Sequence, residues 1–470
     1  MKWKLLTKVL LISAGVFMAG CATYYMKTLE FQQYVNQGNF EKADKWLASD
    51  NRGKSGKNQL LHYLNRGYVS WILQEPSESN YYFQIAENLI EDYIKNYYME
   101  ALTLVSNPGI KPYKPEDFEA VMVNYFMALN FIRQGKYNEA IVECKRINIK
   151  LNQLNDRYKD HKNRYQRDAF AHALMGMIYE ANHDYNNAFI AYRNALEVYE
   201  RDYASYFGIE VPKQIKKDVL RTAYLTGFRN EVEYYERKFG MQYEHKPSKN
   251  GELVFLWMNG FGPVKAENSI NFTKVPNSRH GYVTLVNEEY DLSFPIYIGN
   301  KNNKEKTAFE QLRFFRVAFP KYVERKPVFK SADIQTSSGI YEVEMLQNIN
   351  DIAFKTLKDR MLREMASSIA RLATKKALEM LADEQDESLG TLINIVNTVT
   401  EKADTRNWQT LPYSISYARI PLKKGSNTIT LITRSNRGMS KHSFHFEGRE
   451  RHTYFHAYHT IASQEPNIRY

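Results

Sequence analysis

Hydrophobic positions in the first half of the chain recur at helical spacing, in paired stretches separated by short polar turns. The clearest pair is Ala169 to Tyr199. Its first member carries small or apolar residues at Ala173, Gly176, Met177 and Ile178, with Tyr179 near its end. A polar turn follows at Asn182 to Asp184, and the second member carries Tyr185, Ala188, Tyr192 and Ala195. Gly176, Ala188 and Ala195 let two helices approach closely, while Tyr179, Tyr185 and Tyr192 fill the space between them. Similar pairs are predicted over Thr28 to Asp50, Leu60 to Tyr93 and Phe118 to Leu151, and Ile215 to Phe239 adds amphipathic helices that close the series. Pro76 is expected to mark a helix end within its pair. One helical hairpin cannot bury its faces alone, so these pairs must stack.

The period changes after the polar stretch Gln242 to Gly251. Alternation and aromatic or β-branched enrichment predict strands over Leu253 to Trp257, Gly281 to Val286, Phe294 to Ile298, Phe314 to Phe319 and Val328 to Ile334. Helical period returns over Glu342 to Ala382, with a stripe at Phe354, Leu357, Met361, Ile369, Leu372 and Leu381. The stripe reads as core; its flanking Lys and Arg leave an interfacial helix open. An acidic turn, Asp383 to Glu387, leads to a second apolar helix around Leu392 to Val399. Strands resume at Ile415 to Ile420, Asn427 to Thr433, Lys441 to Glu447 and His452 to His459, two of them joined by a tight turn at Pro421 to Gly425.

The first 20 residues form a leader. Lys2, Lys4 and Lys8 precede the apolar run Val9 to Met18, which is too short to span a bilayer, and small residues Ala19 and Gly20 precede Cys21. Phe17-Met18-Ala19-Gly20-Cys21 resembles the bacterial lipobox, in which the Cys becomes the mature N-terminus and carries lipid chains. The resemblance implies lipid attachment at Cys21, and Ala22 carries no acidic retention signal, so the expected location is the outer membrane, lipid-anchored, on the periplasmic side.

The expected fold class is thus multidomain, α then α+β. A signal peptide occupies residues 1–20. A helical repeat domain covers 21–240. A β-rich domain follows in two parts, 251–345 and 404–470, with a helical hairpin inserted at 346–403. The simplest topology is one β-sandwich interrupted by that hairpin; two small β-units joined by a helical linker are the alternative.

Composition narrows the chemistry. Formal net charge is +11, but Lys and Arg form no dense block and no nucleic-acid-binding module is visible, so no nucleic-acid partner is expected. Of two cysteines, Cys144 has no partner once Cys21 is set aside, and it sits on an amphipathic helix as a small buried hydrophobe. Asp50 to Lys57, DNRGKSGK, lacks the first glycine and the preceding strand of a phosphate loop. No G-x-S-x-G elbow is present. His452 and His456 would share one strand face about 13 Å apart, too far for a common metal ion, so a metal would need His442 or His445 from the neighbouring strand. No enzyme, metal or cofactor is expected.

The size pattern of Ala169 to Tyr199 is that of a tetratricopeptide (TPR) hairpin. Spacings between units are irregular, so these are divergent repeats with insertions. The chain resembles a little-characterised family of bacterial TPR-containing outer-membrane and periplasmic lipoproteins. The matching stretches are Leu60 to Trp71, Tyr125 to Arg146 and Gly176 to Tyr199, with Trp257 to Glu267 (WMNGFGPVKAE) and Ala403 to Leu422 (ADTRNWQTLPYSISYARIPL) in the β-part. The resemblance implies an envelope location, with genes beside other lipoproteins linked to cell-wall synthesis or secretion. It supplies no activity.

By repeat register, the first helices should line a concave face with Tyr68, Trp71, Tyr125, Leu129, Arg133, Phe170, Met177 and Glu180. Aromatics beside Arg and Glu suit a peptide groove; packing against the β-domain is the competing use of the same face. The expected function is a non-enzymatic, lipid-anchored envelope scaffold that binds partner proteins through TPR-like repeats in envelope assembly, cell-wall synthesis or secretion. A peptidoglycan- or glycan-binding lipoprotein is the alternative.

Overall fold

The structure is a computed structural model that describes residues 23–100, 111–156, 165–275, 281–289, 292–300, 303, 306, 314–361, 369 and 403–468. The leader, Cys21 and most of the 346–403 insertion lie outside these residues.

Helices form where small residues and aromatics alternate. The first pair is α1 (Leu29–Asn36) and α2 (Phe40–Ser49), the second α3 (Gln59–Ile72) and α4 (Pro76–Glu100). The third is α5 (Asp117–Arg133) and α6 (Tyr137–Asp156), and the fourth α7 (Ala169–Ala181) and α8 (Tyr185–Val198). A π-helical turn, Tyr199–Phe207, leads to α9 (Lys213–Thr226) and α10 (Arg229–Phe239). Two pairs close over a glycine. A Cβ at Gly67 would stand 2.6 Å from the Phe83 ring, and one at Gly176 would stand 2.7 Å from the Tyr192 ring. Pro76 stands at the boundary between the two helices of its pair: α3 ends at Ile72 and Pro76 opens α4, where its missing N–H leaves nothing unpaired.

Twelve strands are present among the described residues: β1 (Glu252–Phe261), β2 (Val264–Lys274), β3 (Tyr282–Asn287), β4 (Leu292–Tyr297), β5 (Phe314–Val323), β6 (Ser331–Thr336), β7 (Gly339–Glu342), β8 (Glu344–Asn348), β9 (Pro412–Pro421), β10 (Gly425–Ser435), β11 (Gly438–Gly448) and β12 (Thr453–Thr460). They form three sheets, in the orders β12-β1-β9-β8, β11-β10-β6-β7 and β4-β3-β2-β5. The first is mixed, because β12 runs parallel to β1. The first two sheets each take strands from both sides of the insertion, and the turn after Pro421 crosses from one to the other. Glu344–Asn348, expected within a helix, is strand β8; the helix α11 that follows spans 349–361.

The first sheet is a middle layer. On β1, Val254, Leu256 and Met258 join the core of the helical stack, and Leu253, Phe255 and Trp257 join a core shared with the second sheet. Burial on both faces explains the unbroken apolar run of β1. The third sheet packs apart, with Ile270, Phe272, Val283 and Val317 against Met361 and Ile369.

Candidate functional site

The concave face of the helical stack is covered by the first sheet. The Tyr68 hydroxyl lies 2.7 Å from Nδ1 of His459 on β12, whose Nε2 lies 2.7 Å from the Gly260 carbonyl. A carbonyl only accepts, so Nε2 carries the proton and Nδ1 accepts from Tyr68. Burial pushes the His459 ring down to about 4, so it is neutral at pH 7. Tyr125 stacks on Phe170 with centroids 5.0 Å apart, and its hydroxyl donates to Asp168. Asp168 also accepts from Gln347 Nε2 of β8 at 2.8 Å. Leu129 and Met177 are buried in the same core. Trp71 packs beside Tyr68 beneath the Arg133 guanidinium, 4.6 Å from the ring. Of the eight residues expected to face a partner, Arg133 is the exposed one.

Glu180 sits in a buried charge network at this seam. It accepts from Arg221 Nε at 2.6 Å, from Arg419 Nη2 of β9 at 2.9 Å and from the Tyr192 hydroxyl at 3.1 Å. Arg221 also reaches Asp218 at 2.6 Å, Asp218 accepts from the Tyr417 hydroxyl at 3.0 Å, and Arg419 pairs with Glu252. Burial opposes ionisation of Glu180, but Arg221 and Arg419 outweigh it and hold the carboxyl down at about 2. Arg419 was recognisable in principle: a lone charge in the apolar run of β9 must find a buried partner.

The two β-segments quoted for the resemblance make further ties to the helices. Trp408 packs against Phe83 and Phe126 at 5.9 and 5.8 Å, and its backbone N–H donates to Glu119 at 2.7 Å. Arg406, paired with Asp404, donates to the carbonyls of Lys57 and Lys111 at 3.0 and 3.1 Å. The loop that superficially resembles a phosphate loop is thus an anchor for the β-part. Lys265 pairs with Glu116, which also accepts from Arg360 at 2.8 Å. Burial opposes ionisation of Glu116, and the two cations keep its carboxyl lowered. Cys144 is fully buried, and burial pushes its thiol well up.

An open trough of about 860 Å³ lies between the helical stack and the second sheet, and a separate hollow of about 630 Å³ lies on the helical stack at Phe189, Ile190, Arg193 and Phe228. The trough's floor is β12 from Phe455 to Thr460, continued by Ile461 and Ala462. One wall is Phe40, Trp71, Ile72 and Arg133; the other is Ser440, His442 and Phe444 of β11. The His442 ring lies 3.0 Å from the Tyr458 hydroxyl. Nε2 of His456 is buried without a hydrogen-bond partner, and burial lowers that ring to about 4. Arg133 and three histidines line the trough, and no carboxylate does among the described residues. The sequence pattern showed the alternation of β12 but not its position at a sheet edge, because that depends on pairing with β1 about 200 residues earlier in the chain.

Among the described residues, no group of three or more His, Cys, Asp or Glu is placed to hold a metal ion, and no helix is long and apolar enough to cross a membrane.

No protein-family model matches the sequence, and no curated protein matches it. Solved structures with some likeness include the apo form of RapI, 14% identical with a TM-score of 0.31 over 46% of this chain and 68% of that one. MamA is 14% identical with a TM-score of 0.28, over 44% of this chain and 91% of its own. A tetratricopeptide repeat protein from Parabacteroides merdae is 11% identical with a TM-score of 0.20, over 46% and 79%. The TPR-like architecture of the helical half rests on the helix pairing within this chain.

Proposed function

We propose that this protein is a non-enzymatic scaffold of the bacterial envelope, held at the periplasmic face of the outer membrane by lipid on Cys21, that binds partner proteins in envelope assembly, cell-wall synthesis or secretion. The observation that carries the reading is the joining of a repeat stack to its own β-layer through buried ion pairs, with a walled trough left open beside the seam. The joint makes a rigid platform, and the trough offers aromatic anchors beside an Arg, the residue types that concentrate binding energy at interfaces. Of the residues first assigned to the partner, Arg133 lines the trough and keeps that role; Trp71 borders the trough but is buried beneath the Arg133 guanidinium. Tyr68, Tyr125, Leu129, Phe170, Met177 and Glu180 serve by holding the β-layer.

Two measurements test the reading. Cys21→Ala should abolish metabolic lipid labelling and release the protein from the membrane; a labelled mutant removes the anchor. Cross-linking in the native envelope should recover specific proteins, and recovery of glycan alone removes the protein-scaffold reading. A second reading, peptidoglycan binding, is favoured by the partly exposed aromatic rings of Phe444 and Tyr458 in the trough, since sugar rings stack on such faces. Co-sedimentation with purified sacculi at low salt supports it; its absence ends it.

A further inference from the structure

β12 is the outer strand of its sheet, and its ladder is to β1 alone among the described strands. Register and hydrogen bonding fix which backbone groups are spoken for. Glu252 lies opposite Thr453, and its N–H donates to the His452 carbonyl at 3.0 Å. In a parallel ladder each residue bonds to the neighbours flanking its opposite. The even-numbered residues Tyr454, His456 and Tyr458 therefore turn their N–H and C=O groups to β1. The same groups of Phe455, Ala457 and His459 face the trough.

The strand itself carries no sequence device against pairing. Edge strands are commonly blunted by a charge, a proline or a bulge. β12 reads TYFHAYHT, with no Lys, Arg, Asp, Glu or Pro, and its register with β1 is unbroken. Walls on both sides flank the edge and hinder its pairing with another sheet. A strand seated there would point alternate side chains at opposite walls. Those on the helical side meet Phe40, Ile72 and Arg133, and those on the other meet His442 and Phe444. With Arg133 present and no carboxylate lining the trough, charge complementarity asks for an acid on the helical side.

We propose that β12 is a docking edge for an extended peptide that adds to the first sheet as a fifth strand and places an Asp or Glu side chain against Arg133. The proposal rests on the protein-scaffold reading and specifies its mode. Strand addition supplies affinity through the main chain and specificity through the two walls.

A random heptapeptide library displayed on phage, panned against the purified mature protein, tests it without lipid or envelope. Enriched peptides should carry Asp or Glu in excess of Lys and Arg. In hydrogen exchange, a bound peptide should protect the amides of Phe455, Ala457 and His459. Ala457→Pro removes an edge N–H without removing a ladder bond, and should weaken binding about tenfold or more, the equivalent of one good hydrogen bond. Arg133→Glu should weaken acidic peptides similarly and admit Lys-bearing ones. The proposal is overturned if no peptide is enriched, if binding protects none of the three amides, or if Arg133→Glu leaves acid preference unchanged. Failure here, with proteins still cross-linked in the envelope, removes strand addition and leaves the scaffold reading standing.

Discussion

The Arg419 guanidinium on β9 reaches across the seam to the Glu180 carboxylate on α7, at 2.9 Å, with both side chains almost wholly buried. Arg419→Met leaves Glu180, Asp218 and Glu252 sharing one cation fewer. Loss of one member of a buried ion network costs about 3–5 kcal/mol, so the urea midpoint of the variant should fall sharply. Arg419→Met combined with Glu180→Leu should recover part of the loss, because no buried charge is then orphaned at that position. Additive losses in the double variant would show that the pair is not coupled.

Acid should loosen the fold in two stages. His456 and His459 are held near 4, below the ordinary histidine value of 6.5, so their neutral forms favour the native state. The unfolded chain binds more protons between those values, and stability should fall as pH drops from about 6.5 to 4. Glu180 is depressed from 4.5 to about 2. Its contribution is full above 4.5 and is lost as pH falls toward 2. Thermal denaturation across pH 7 to 2 checks both windows, and Glu180→Gln should flatten the lower one.

Gly67 allows α3 to approach α4, with the Phe83 ring over its Cα. Gly67→Ala forces that ring away, and overpacking of this kind costs about 1–3 kcal/mol. Phe83→Leu in the same chain should return part of it. A neutral Gly67→Ala would contradict the close packing of this pair.

Trp408 joins the β-part to the aromatic cluster of Phe83 and Phe126. Trp408→Ala should cost about 3–5 kcal/mol. Limited proteolysis should then cut between α10 and β1, near residues 241–250, faster than in the parent chain. Unchanged proteolysis would show that this anchor does not hold the two parts together.

The helical pairs were legible because each carries its own local signature: small residues facing aromatics, and a polar turn. Most strands were legible from alternation. β2 was missed because Lys265, Glu267, Asn268, Ser269 and Asn271 interrupt its apolar positions; Lys265 is buried only because Glu116 waits at the N-cap of α5. The strand β8 was read as helix because its short run precedes a true helix without a turn signal. The concave-face residues were the right kind, but their register could not show what covers them. Their contacts lie with β1, β8, β9 and β12, far along the chain, and that pairing is decided by long-range packing.

The most direct test of the account is where a partner touches the molecule. A photo-cross-linking residue at Ser440, on the rim of the trough, should form protein adducts in cells that make the full chain. The same residue at Ile190, exposed on α8 in a separate hollow of the helical stack, should form few. Adducts at Ile190 with none at Ser440 would contradict the claim that the repeats are closed on their own β-layer and that partners enter along β12.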